Sequence, residues 1–179
     1  MRTTVTTLAL TTLIGLGTIG TATAHPAETS EAAEQARTAP VREKGIVLEC
    51  TGRADGLSAY VNLYENDAYT HYLQVRLDDD PSLSRSREPR DILRGTDVRT
   101  SLLIDGLRAR VTGTATKVGP KKHVHQEVDD AGQHVVMDGF HRRLAHELTL
   151  TYDGTTVPLR CAPAFAYVLN VTKTDTTGD

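Results

Sequence analysis

From Gly45 onward apolar and polar residues alternate with a period of two, and nothing else in the chain constrains its fold as strongly. Ile46, Leu48 and Cys50 share one face, as do Leu57, Ala59, Val61 and Leu63. The same spacing recurs in Leu107, Ala109, Val111 and Ala115, in Leu148, Leu150 and Tyr152, and in Val157, Leu159 and Cys161. Phe165, Tyr167, Leu169 and Val171 complete the set. Successive side chains of a strand point to opposite faces, so this rhythm marks strands with one buried side. Asp105-Gly106 and Asp153-Gly154 suit tight turns that need positive φ at both central residues. Asp129–Gly132 reads as a four-residue loop. The chain therefore predicts nine or ten strands in an antiparallel meander. Phe140, Leu144 and Leu148, four apart, allow one or two helical turns.

The two cysteines bear on architecture. Cys50 lies on the apolar face of the first strand and Cys161 on that of a late one. A bond between them closes a long loop, worth about 4–5 kcal/mol in the chain-entropy account. It also brings the first strand beside the end of the sheet. A small β-barrel closes in this way and is the preferred architecture; a two-sheet β-sandwich stapled through its core satisfies the same facts.

Residues 1–24 carry one charge, Arg2, then the apolar run Leu8–Ile19, then Ala22-Thr23-Ala24. This order of charge, apolar core and small residues is that of a secretory signal peptide. The apolar run is too short and too rich in Thr and Gly to remain as a membrane span. Export to an extracellular setting also suits a disulfide. Residues 25–44, rich in Ala, Glu, Thr and Pro, read as a flexible linker; residues 45–174 form the domain and 175–179 a disordered tail. Without Arg2 the mature chain has 19 basic and 23 acidic side chains, a net charge near −4. That balance gives no support to nucleic-acid binding.

Asp78–Asp97 interrupts the strand pattern with Asp-Asp-Asp-Pro, Ser-Arg-Ser-Arg and Glu-Pro-Arg. A polar stretch of this length reads as a mobile rim, with arginines for an anionic partner and aspartates for weak calcium binding. Five of the seven histidines fall between His123 and His146. His123, His125 and Glu127 alternate along one strand face, about 6.6 Å between successive members. Pairing Val128 with Gln133 sets Glu127 against His134 and His123 against Asp138. Imidazoles with carboxylates suit zinc or copper, so His123, His125, His134, Asp138 and Glu127 are candidate ligands. A one-residue slip of register would turn His134 to the far face.

A second candidate surface lies opposite the apolar face of the second strand. Tyr60, Asn62 and Tyr64, with Tyr72, Gln74 and Arg76 from the neighbouring strand, form a possible contact patch for a protein or small polar ligand. Ordinary cross-strand pairing explains the same residues. Catalysis finds little footing: there is no Gly-x-Ser-x-Gly elbow, no His-Glu-x-x-His pair and no phosphate-cradling glycine motif. His-x-His on a strand is similar to the cupin pattern, yet Glu127 follows too closely and the glycines do not match.

Glu49-Cys50-Thr51-Gly52, Ser58–Val75, Val111–Ala115, His134–His141 and Cys161–Lys173 together resemble uncharacterised small secreted β-rich proteins of high-GC Gram-positive bacteria. The resemblance implies a signal peptide and a β-rich fold, and carries no activity. The expectation is a secreted, non-enzymatic barrel without a required cofactor, whose partner is a small molecule or an extracellular protein. The alternatives are a His-based metal protein and an inhibitor or envelope-interaction protein acting through its loops.

Overall fold

The computed structural model describes residues 39–175. Ten strands follow one another: β1 Val41–Ala54, β2 Leu57–Asn66, β3 His71–Leu77, β4 Ser84–Arg87 and β5 Leu93–Arg94, then β6 Asp97–Ile104, β7 Leu107–Lys117, β8 Lys122–Asp130, β9 Gln133–Tyr152 and β10 Thr155–Asp175. All pair antiparallel, in the order β4-β3-β2-β1-β10-β9-β7-β6-β5, with β8 attached to β9. Residues 1–24, read as a signal peptide, lie outside the described residues.

Four connections are two-residue turns with positive φ at both positions: Asp55-Gly56, Asp105-Gly106, Ala131-Gly132 and Asp153-Gly154. These conformations match the right-handed twist of the strands they join. The helical hint at Phe140–Leu148 is not realised, because the whole stretch lies within β9. A spacing of four is even as well as near-helical, so Leu144 and Leu148 fall on one strand face as readily as on one helix face.

A single apolar core is built from the inward residues of β1, β2, β3, β6, β7, β9 and β10, with Leu48, Val61, Leu63, Val75, Val111 and Leu150 all completely buried. The first and last strands do pair, and the Cys50–Cys161 disulfide joins them directly across their ladder. The first and last described strands therefore lie side by side in the middle of the sheet. The edges at the two ends of this strand order, β4 and β5, come from between β3 and β6 in sequence, and β8 leaves a further edge beside β9. Among the described residues no ladder joins these edges, so the sheet curls around its core without closing into a barrel. A side-chain bridge of 3.3 Å from Arg85 to Asp105 spans the seam.

The stretch 78–97, expected as a mobile rim, instead supplies structure at that seam. It contributes β4, β5 and a 3-10 turn at Pro81–Leu83, capped by the Asp80 carboxylate accepting from the Ser82 N–H. Ile92 is buried in the core. The Glu65 carboxylate holds this segment by accepting from the N–H groups of Ile92 at 2.6 Å and Leu93 at 3.0 Å. The expected linker boundary at 44 also moves. β1 begins at Val41, opposite Val171, and β10 runs through Asp175. The polar run Arg42–Lys44 conceals this strand because its inward side is solvated. On its outward side Glu43 is buried beneath a hydrogen bond from the Asn66 side-chain amide.

Candidate functional site

β9 and β10 are 20 and 21 residues long. The C-terminal half of β9 pairs with β7 and its N-terminal half with β8, both on the same edge. The half that pairs with β7 covers the core. The other half, with β8, the end of β10 and the start of β1, projects beyond it as an arm.

The histidine hairpin lies in this arm. Its turn is Ala131-Gly132 rather than the expected four-residue loop, so the register is two residues from the one expected, and His125 sits opposite Asp138. A shift of two preserves the faces, and the candidate ligands still share one. They form an alternating chain. Asp138 Oδ2 lies 3.3 Å from His123 and 3.1 Å from His125, and Glu127 Oε1 lies 3.2 Å from the other nitrogen of His125. His134 meets Asp129 at 2.8 Å and Glu127 at 3.7 Å. Hydrogen bonding to Asp138 and then to Glu127 raises the His125 pKa above 6.5, and the His125 bond lowers that of Asp138 below 3.8. Both ring nitrogens of His125 and of His134 thus face carboxylates. Among the described residues no group of three or more His, Cys, Asp or Glu is arranged as a metal centre.

The tyrosine face is assembled as expected, with Tyr60 opposite Arg76, Asn62 opposite Gln74 and Tyr64 opposite Tyr72. Internal contacts occupy much of it. The Arg76 guanidinium lies 5.1 Å over the Tyr60 ring, a cation–π contact. The Tyr64 hydroxyl accepts from the Asn66 amide at 2.8 Å and from the Tyr167 hydroxyl at 3.2 Å. Burial, reinforced by the Tyr64 bond, drives the Tyr167 pKa strongly upward. Asn62 Oδ1 and Arg76 Nε are buried without a hydrogen-bond partner among the described residues.

The residues that sequence reasoning missed lie on the inward face of the arm. The pairing places Ile46, Ala166 and Arg142 in one row across the sheet; the next row holds Lys44, Val168, Phe140 and His123. Beyond it lie Arg42, Asn170, Asp138 and His125. On β7 the inward positions Val111 and Ala115 continue to Lys117, opposite Leu144. Where the apolar core ends, β1, β7 and β9 each turn a cation inward. Lys121, from the β7–β8 connection, joins them. The result is an open groove of about 590 Å³ lined by Arg42, Lys117, Lys121 and Arg142 around Phe140, Ala166 and Val168. Arg142 Nε donates to the Gly119 carbonyl at 2.8 Å. The signal that could have found it is a cation at the next inward position after an apolar run, as in Val111-Gly113-Ala115-Lys117.

A second depression, also about 590 Å³, lies on the outer face near the seam and includes Arg87, Arg94, Arg99, Arg108 and Arg110. Of the arginines expected to grip an anion, Arg87 and Arg94 line it, Arg94 paired with Asp91, whereas Arg85 is paired with Asp105.

No protein-family model and no curated protein sequence matches the chain. Among solved structures it is similar to a Nitrosomonas europaea protein described as a candidate AttH, with 12% identity and a TM-score of 0.30. The match covers 91% of this chain and 59% of that one, so the chain spans about three-fifths of that protein's length. A likeness at this level carries no argument about fold or function.

Proposed function

We propose that the protein acts outside the cell as a non-enzymatic binding protein that holds a small ligand in the groove above its core. The observation that carries this reading is the change of the inward face from apolar to cationic at the end of the core. A face that served folding alone would become plainly solvated there. This one forms a concavity of a size usual for small-molecule sites, with an apolar floor and a few convergent polar groups. The signal-peptide pattern and the disulfide support an extracellular setting.

Zinc or copper on the histidine hairpin is the weaker reading, because His125 has both ring nitrogens bound to carboxylates. A loop-borne inhibitor is also less favoured, since the long polar stretch is spent on sealing the seam.

Native mass spectrometry of protein collected from culture medium tests the proposal. The expected species starts at His25, lacks two hydrogens for the disulfide, and carries a non-covalent organic adduct that an Arg142→Glu variant loses. Retention of residues 1–24, or an adduct indifferent to Arg142, overturns it.

A further inference from the structure

Resting on that reading of the groove, we propose that its ligand is an amphiphile with a single anionic head group, the head met by Lys117, Lys121 and Arg142 and the apolar body lying on Phe140, Val168 and Ala166.

Charge is the first reason. The groove lining carries four cations, Arg42, Lys117, Lys121 and Arg142, against one acid, Asp138. That acid is engaged by His123 and His125, not by the cations. Among the described residues Arg42, Lys117, Lys121 and Arg142 have no carboxylate partner within ion-pair distance. In a mature chain whose overall balance is acidic, four cations without a carboxylate partner converging on one concavity leave an anion-shaped deficit.

The floor is the second reason. Phe140 is 48% exposed on the inward face, beside Val168 in the same row. An inorganic anion would leave this apolar strip in water, whereas an apolar body would cover it, worth about 25 cal/mol for each Å² buried. A neutral lipid would cover the strip but leave the cations unmatched. Only a ligand with both parts answers both features. Guanidinium and ammonium donors accept carboxylate, sulfate and phosphate esters alike, so the shared chemistry is the anionic head.

Calorimetric titration of the mature, disulfide-bonded protein with decanoate, decyl sulfate, 1-decanol and decylammonium discriminates the cases. The two anions should bind one to one, decanol much more weakly and decylammonium not at all. Lys117→Gln and Lys121→Gln are exposed changes that should leave the thermal melt unaltered. Each should weaken anion binding about fivefold, the equivalent of about 1 kcal/mol. Phe140→Ser should weaken both anions and decanol together. Decanol or decylammonium binding as tightly as decanoate, or lysine variants that bind anions unchanged, would falsify the head-group assignment while leaving the groove a binding site. Failure of all four probes, with no adduct in the native spectrum, removes the groove reading itself.

Discussion

The two halves of β9 make an instructive contrast. Leu144, Leu148 and Leu150 in the C-terminal half are buried in the core. His134, Asp138 and Phe140 in the N-terminal half lie on the same inward face yet stay partly or largely exposed. Strand geometry is the same in both, and so is the pairing partner β10. What differs is the opposite wall. Leu144, Leu148 and Leu150 pack in one buried cluster with residues of β2, β3 and β6, whereas no residue of the arm half of β9 belongs to that cluster. Strand periodicity determines which side chains share a face, and the presence of a second wall determines whether that face becomes core or groove.

The largest test of this contrast is the disulfide. Cys50→Ala with Cys161→Ala should lower stability by about 4–5 kcal/mol, because the bond constrains a long loop of the unfolded chain. The loss should appear in guanidinium unfolding as a shifted midpoint. A loss below about 1 kcal/mol would mean that the β1–β10 ladder alone closes the fold.

The next test compares the halves directly. Leu150→Ala, at a completely buried site, should cost about 3 kcal/mol. Val136→Ala, on the same face of the arm but only half buried, should cost under about 1 kcal/mol, since little area leaves water there. Equal costs would show that the arm packs against something, and that the groove is occupied by the protein itself.

This contrast also explains what could be read in advance. The strands, the antiparallel pairing, the Cys50–Cys161 bond and the sharing of one face by the histidines follow from period two and local turn chemistry, and all are visible in the chain. Where the sheet opens is a different matter. Pairing of first with last strands is compatible with a closed barrel. The seam lies between β4 and β5, four and two residues long, which pair with β3 and β6 and not, among the described residues, with each other. The segment between them looks disordered by composition; the burial of Ile92 depends on Glu65, a carboxylate 27 positions away. The groove was illegible for a similar reason. Arg42, Lys117 and Arg142 are ordinary exposed cations until long-range pairing brings three strands together.

A smaller effect resides in the hairpin turn of the arm. Ala131 adopts φ 49°, where a β-carbon is strained. Ala131→Asn should stabilise the protein by about 1 kcal/mol, since Asn tolerates this conformation. The same substitution would be pointless at Asp105 or Asp153, which already suit their turns. If the gain appears in hydrogen exchange of β8 but not in global unfolding, the arm opens independently of the core.

The least energetic prediction is also the most local, and it concerns pH. His125 is held above its ordinary 6.5 chiefly by its bond to Asp138. Its contribution is therefore complete below pH 6.5 and fades as pH rises through the elevated value. Asp138 is held below 3.8 chiefly by the same bond. Its contribution is present above 3.8 and fades as pH falls through the depressed value. The clasp between β8 and β9 is thus strongest from pH 3.8 to 6.5. Both side chains are about half exposed, so solvent screening keeps the energy small and the global melt should scarcely move. Amide exchange of β8 should quicken above that window, while the protected amides of β7 and the core half of β9 do not respond. Asp138→Asn should return the His125 titration, followed by its ring-proton shifts, toward 6.5. An unmoved titration would mean that Glu127, the second partner at 3.2 Å, holds the imidazole alone, and that the arm carries no pH-dependent clasp through Asp138.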